Sequence, residues 1–153
     1  MSSSSPHPHL YIIRDINDPW IKLIAHDPVR PELPIEFRVS SNSEIFVWMI
    51  DNTTPGAVVC AAYRNSVPAS VDELALVPAT TPNVAVFYTI WSYVPGAGRK
   101  LILNVRDWLQ THSPNISDFV TLSPPTDMAR VFHLRNGAQV YRINSDTVNY
   151  QYH

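Results

Sequence analysis

The chain is 153 residues long, 45% hydrophobic and only 16% charged, which suits one domain with a full apolar core and excludes a disordered chain. The formal net charge is −2 and no long basic run occurs, so nucleic-acid binding has no electrostatic basis. The longest apolar runs, AVVCAAY and NVAVFYTIW, are too short to cross a bilayer, and no membrane span is expected.

Residues 1–9, MSSSSPHPH, lack the basic and apolar regions of a secretion signal and are expected to form a mobile, disordered tail before a single domain over residues 10–153. LYIIRDI then reads as a first strand. NDPWIKLIAHD opens on an Asn-Asp-Pro helix start, and Trp20, Leu23 and Ile24 have helical spacing. IEFRVS alternates like a half-buried strand, and Ser-Asn-Ser is the expected hairpin turn into a second strand, SEIFVWMID. GAVVCAAYRN is nearly continuous in apolar residues, as in a strand covered on both faces. Its Cys60 is the chain's single cysteine, so a small buried hydrophobe in a reducing, cytoplasmic setting is expected.

Ser70 with Glu73 three residues on predicts a capped short helix, which Pro78 and Pro82 break. VAVFYTIWSYV is another buried strand. RKLILNVRDWLQTHS places Leu101, Ile102, Val105, Trp108 and Leu109 on one helical stripe. DFVTLS is a strand, PTDMARVFHLRN a short helix or turn, and AQVYRINSDTVNYQYH one or two closing strands. Early strands joined by short turns and later ones by helices predict an α/β (α+β) fold with a mixed central sheet, antiparallel first and parallel around the long helix.

Two places carry candidate chemistry. Between the strand ending at Tyr93 and the long helix stands Pro95-Gly96-Ala97-Gly98. Glycines there let the backbone turn tightly and leave the first helical amides free for an anion, with Arg99 and Lys100 in the first turn. The alternative is a tight turn with two solvated cations. The second place is the pair Ser123 and His133, with Asn136 after them. A hydroxyl and an imidazole that titrates near neutrality suit proton delivery and oxyanion stabilisation. In isolation Ser123 also suits a turn cap, His133 a half-buried histidine, and Asn136-Gly137 an ordinary turn pair.

The run from Tyr93 to Gly98 resembles the pyrophosphate loop of the GNAT acyltransferase superfamily, Arg/Gln-x-x-Gly-x-Gly/Ala, with Tyr93 standing where Arg or Gln is usual. AVFYTI, TLSP and FHLRNGA…RIN, in that order between Glu44 and Asn144, resemble the catalytic domain of malonyl-CoA decarboxylases, a branch of that fold. The resemblance implies a GNAT-like, mostly antiparallel sheet with a splayed strand pair. It implies coenzyme A or an acyl-CoA as ligand, with its pyrophosphate on Tyr93, Gly96, Ala97, Gly98, Arg99 and Lys100 and its pantetheine beside Tyr88, Thr89 and Ile90. Ser123 and His133 then hold the malonyl group and deliver the proton, with Asn136 orienting His133 or lining the pocket.

Two other functions stay open at this point. An N-acetyltransferase needs a base, for which Glu44, Glu73 or His133 are candidates, and an acid such as Tyr141 or Tyr150. A non-catalytic GNAT-fold module needs neither. The six histidines are scattered, so no metal site is expected. Tyr141, Tyr150 and Tyr152 are candidates for the core or for a homodimer interface.

Overall fold

The computed structural model of the protein describes residues 7–76 and 80–153. Among the described residues the elements run β1 (Leu10–Ile13), a 3-10 helix (Ile21–His26), α1 (Ile35–Arg38), β2 (Ser43–Asp51), β3 (Thr54–Arg64), α2 (Val71–Leu74), β4 (Val84–Ser92), α3 (Ala97–His112), β5 (Asp118–Thr121), α4 (Asp127–Arg135), β6 (Gln139–Ile143) and β7 (Val148–Tyr152). The strands form one sheet in the order β1-β2-β3-β4-β5-β7-β6. Its pairs are antiparallel except β4 with β5. A parallel pair needs a crossover, and α3 supplies it, as the connection lengths predict.

Both faces of the sheet are covered, which is why its central strands read as unbroken apolar runs. Along β2, Phe46 and Trp48 face α3, where Leu101, Ile102, Val105 and Leu109 are buried. Ile45 and Val47 face the opposite side with Cys60, Val86 and Tyr88, under Leu23 and Ile24 of the 3-10 helix and Leu74 of α2. Each fully buried leucine or isoleucine contributes about 1.5–3 kcal/mol relative to exposure.

Local signals are met at several ends. Ser70 Oγ caps α2 by accepting from the Glu73 amide, and Glu73 reaches back to the Ala69 amide. Pro78, the expected breaker beyond it, lies outside the described residues. Asp18 starts the first helical turn by accepting from the Trp20 amide, although that turn is a 3-10 helix.

Two expectations are corrected. IEFRVS is not a strand: it forms α1, entered through Pro34, and Ser-Asn-Ser joins that helix to β2 with Asn42 at φ 63° instead of closing a hairpin. The cause is tertiary, because Arg38 is drawn inward to a buried ion pair with Asp27, described below. The second concerns the tail. From His7 on the chain is held to the sheet: the Met49 amide donates to the His9 carbonyl, and both histidine rings lie on Trp48, His9 stacked at 5.1 Å. Residues 1–6 of that tail lie outside the described residues.

Candidate active site

The site begins with a missing ladder. β4 and β5 pair in parallel from Val84↔Asp118 to Phe87↔Thr121, and the Leu122 amide still donates to the Phe87 carbonyl. Three features stop the pairing there. Cys60 faces Thr89 while its neighbour Ala61 faces Phe87, so Tyr88 is an extra residue in β4, a bulge that bends the strand. On the other side, Pro124 and Pro125 have no N–H to offer a ladder. Finally, the Leu122 carbonyl is taken by Arg30 Nη2 at 2.9 Å. β4 and the chain after β5 therefore diverge.

The gap is a groove of about 420 Å³, lined on the β4 side by Phe87 to Ser92 and on the other by Leu122, Ser123 and Pro124, with Met128, Ala129, Phe132 and His133 of α4 closing it. Tyr88, Thr89 and Ile90 border it, although the Tyr88 ring itself is buried against Phe37. Ser92 and Phe132 also line a second, larger opening of about 740 Å³ with Tyr93, Gly96, Gly98, Arg99 and Asn136. The two share Ser92 and Phe132 as walls.

The larger opening surrounds the start of α3. Gly96 is its N-cap at φ 83°, with no side-chain cap; the Ala97 amide donates to the Val94 carbonyl, and the next amides, of Gly98 and Arg99, have no carbonyl of their own helix to bond. Gly98 leaves no room for a side chain, since a Cβ there would lie 2.6 Å from Ser92 Oγ and 3.3 Å from the Phe132 ring. Free amides on a 16-residue helix and a close backbone approach suit a diphosphate. A Gly96→Ala variant is expected to lose about 1–2 kcal/mol in urea unfolding, from the left-handed backbone alone, because nothing lies within 4 Å of the added Cβ. Ala97 is turned inward against Gly56, and Lys100 does not line the opening. Tyr93, in the position where the loop usually carries a longer polar side chain, has its hydroxyl held by Trp91 Nε1 and His26 Nδ1 at 3.0 and 2.8 Å.

Ser123 and His133 reach one groove from different elements. Ser123 pairs its backbone with Val148, and its Oγ donates to Thr121 Oγ1 at 2.8 Å. Thr121 Oγ1 also accepts from the Tyr150 amide. His133 lies on α4, which starts at the Thr126 cap and ends at Asn136-Gly137, with Gly137 at φ 94° closing the helix as a C-terminal glycine. Its ring is stacked on Tyr150 at 5.1 Å, and its Nδ1 is 2.6 Å from the Tyr152 hydroxyl. β7 is therefore the part that joins the two residues.

Burial pushes the His133 imidazole down to about 4. The ring is neutral at pH 7. In the unfolded chain it takes up a proton near the usual 6.5, so between these values the unfolded state binds more protons. Stability is expected to fall as pH drops from about 6.5 to about 4, by about 3 kcal/mol in all. Urea unfolding between pH 7.5 and 4.5 reads that slope, and His133→Gln should remove its contribution.

The groove lining contains no carboxylate among the described residues. Glu44 is engaged with Arg14 and the Tyr63 hydroxyl, and Glu73 caps α2, so neither faces the groove. Tyr141 is half exposed on the edge strand β6, whereas Tyr150 and Tyr152 are core residues.

Behind the groove lies a buried cluster that no sequence signal announced. Asp27 Oδ2 pairs with Arg38 Nη1 at 2.7 Å, and both side chains are essentially inaccessible. Asp27 Oδ1 accepts from the Val29 and Arg30 amides and from Thr89 Oγ1 of β4. Burial pushes the Asp27 carboxyl up, but the Arg30 amide, Arg38, the Val29 amide and Thr89 together hold it below the usual value. The same arginine touches Cys60, whose thiol burial pushes up to about 12. The cluster fastens the segment after the 3-10 helix to the bulged part of β4.

No profile of a known family matches the sequence, and no curated protein does. Solved structures do match. Malonyl-CoA decarboxylase from Cupriavidus metallidurans superposes with a TM-score of 0.73 at 18% identity, over 94% of this chain and 60% of that one. Malonyl-CoA decarboxylase from Agrobacterium vitis gives 0.66 at 24% identity, over 84% and 37%. The catalytic domain of the Tetrahymena GCN5 histone acetyltransferase in complex with coenzyme A gives 0.55 at 15% identity, over 94% and 91%. The chain spans between 32% and 60% of the length of the malonyl-CoA decarboxylases it matches. The fold is GNAT-like, of the kind found in acyl-CoA enzymes.

Proposed function

We propose that the protein binds an acyl-CoA and decarboxylates a malonyl-type thioester. The observation that supports this most is that Ser123 and a neutral His133 line one groove that shares the walls Ser92 and Phe132 with the opening at Gly96 and Gly98. In this reading the diphosphate rests on the first amides of α3, and the pantetheine follows the unpaired edge of β4 from Ser92 toward Thr89. The thioester then lies beside Ser123 and His133. Loss of carbon dioxide breaks the bond between the carboxylate carbon and the α-carbon and leaves its electron pair as a thioester enolate. Ser123, turning its hydroxyl proton away from Thr121 Oγ1, hydrogen-bonds the malonyl oxygens and the enolate, and a proton delivered at the α-carbon gives the acetyl thioester. The apolar lining, rich in Phe87, Trp91, Leu122 and Phe132, disfavours a localised carboxylate more than a delocalised enolate.

The buried, single Cys60 supports a reducing, cytoplasmic setting. The test is to incubate the protein with malonyl-CoA and follow acetyl-CoA and carbon dioxide by mass. Coenzyme A at a hundred times its Kd should stabilise the fold by about 2.7 kcal/mol. Thiol release from acetyl-CoA with amines, and no carbon dioxide from malonyl-CoA, would turn the assignment to an N-acetyltransferase. No stabilisation by coenzyme A and no turnover would leave a binding or structural module.

A further inference from the structure

The proton on His133 has one place to be. Tyr152 is 2% exposed, and its hydroxyl proton needs an acceptor. The acceptor in contact is His133 Nδ1 at 2.6 Å. If Nδ1 carried a proton instead, two donors would face each other across the shortest contact of the ring, and the phenolic proton would be stranded in the core.

The other side of Tyr152 agrees. Arg99, from the first turn of α3, places Nη1 3.1 Å from both the Arg135 carbonyl and Asn136 Oδ1. A guanidinium only donates, so the Asn136 atom facing it is the oxygen. That turns the Asn136 Nδ2 donor inward, where it is buried and faces the Tyr152 hydroxyl in a contact looser than a full hydrogen bond. With that donor turned toward its oxygen, Tyr152 keeps its own proton for His133.

From this geometry we infer that Tyr152, with the Asn136 amide turned toward its oxygen by Arg99, holds His133 as the Nε2–H tautomer in a directed series, so that the resting ring meets the groove as a donor and not as a base. This rests on the acyl-CoA reading for its chemistry but not for its geometry. It has two consequences. An Nε2–H suits a carboxylate or enolate oxygen, and it protonates a carbanion when Nδ1 takes up the Tyr152 proton in the same step, solvent later restoring it, but it has no lone pair with which to take a proton from an amine. The substrate class is thereby restricted to acyl groups that bring or develop negative charge. In addition, the series starts on the helix that presents the diphosphate amides, so occupancy of the larger opening and the orientation of His133 share two residues, Arg99 and Asn136. Tyr152, Asn136 and Arg99 are positioning residues here, acting through His133.

The test is nitrogen-15 NMR of the imidazole in protein without ligand at pH 7.5, which reads the tautomer independently of any activity. The wild type should show Nε2 protonated and Nδ1 as the acceptor. Asn136→Asp keeps the contact to Arg99 and replaces the inward donor by an acceptor. Tyr152 then donates to the carboxylate, and His133 should switch to Nδ1–H. Tyr152→Phe removes the phenol and should leave a mixture of tautomers. If malonyl-CoA is turned over, Asn136→Asp should lower kcat at least tenfold with KM changed less than threefold. A wild-type ring protonated on Nδ1, or no change of tautomer in Asn136→Asp with circular dichroism unaltered, overturns the inference. If Asn136→Asp fails to fold, Tyr152→Phe decides alone: a pure, unchanged Nε2–H ring in that variant overturns it as well. Absence of turnover with the expected tautomers overturns the decarboxylase proposal and leaves the series standing.

Discussion

Arg38→Ala is expected to cost about 3–5 kcal/mol of folding stability, measured by urea or thermal unfolding at pH 7. The guanidinium is almost fully enclosed and donates to the Asp27 carboxylate and to the Leu33 and Arg30 carbonyls. Removing it leaves Asp27 charged in the interior with three neutral donors, the Val29 and Arg30 amides and the Thr89 hydroxyl. The cost lies in that stranded charge, not in the lost attraction alone. Asp27→Asn combined with Arg38→Met should therefore cost less than the sum of the single changes. A loss in the double variant equal to the sum would mean that Asp27 and Arg38 are not energetically coupled and would overturn the stranded-charge account. Because Thr89 borders the groove, the single variants should also weaken coenzyme A binding, read as a smaller thermal shift.

His133→Gln is expected to lower decarboxylation of malonyl-CoA by about 10²–10⁴-fold, the usual worth of a positioned proton donor. Ser123→Ala should cost about 10²–10³-fold, as for other single donors to a developing oxyanion. Coenzyme A binding should survive both, since neither residue lines the opening around Gly96. A matching loss of coenzyme A affinity in both variants would assign the pair to structure. Retained turnover in either would remove that residue from the chemistry.

Much of the architecture is legible in local pattern, and so are the two candidate residues. The stripe from Leu101 to Leu109 is a helix because its period is helical and one face meets the sheet. Gly96 and Gly137 mark a start and a stop because both positions have positive φ. Ser123 before two prolines is a legible end of a strand, and that end is what opens the groove. Tyr150 and Tyr152 were readable too, since residues two apart on a strand share a face, yet nothing local said that this face meets His133.

What the order of residues determined by itself is the set of elements and their sequence along the chain: apolar periodicity, caps and prolines act within a few residues and need no partner. Tertiary structure alone decided that IEFRVS coils into α1 instead of extending, because a distant carboxylate at Asp27 draws Arg38 inward. It alone decided the tautomer of His133, through Tyr152 on β7, 19 residues away. Both depend on hydrogen bonds and charges between elements. Their strength comes from burial, and burial exists only once the sheet, its two apolar layers and the splay between β4 and β5 have formed together.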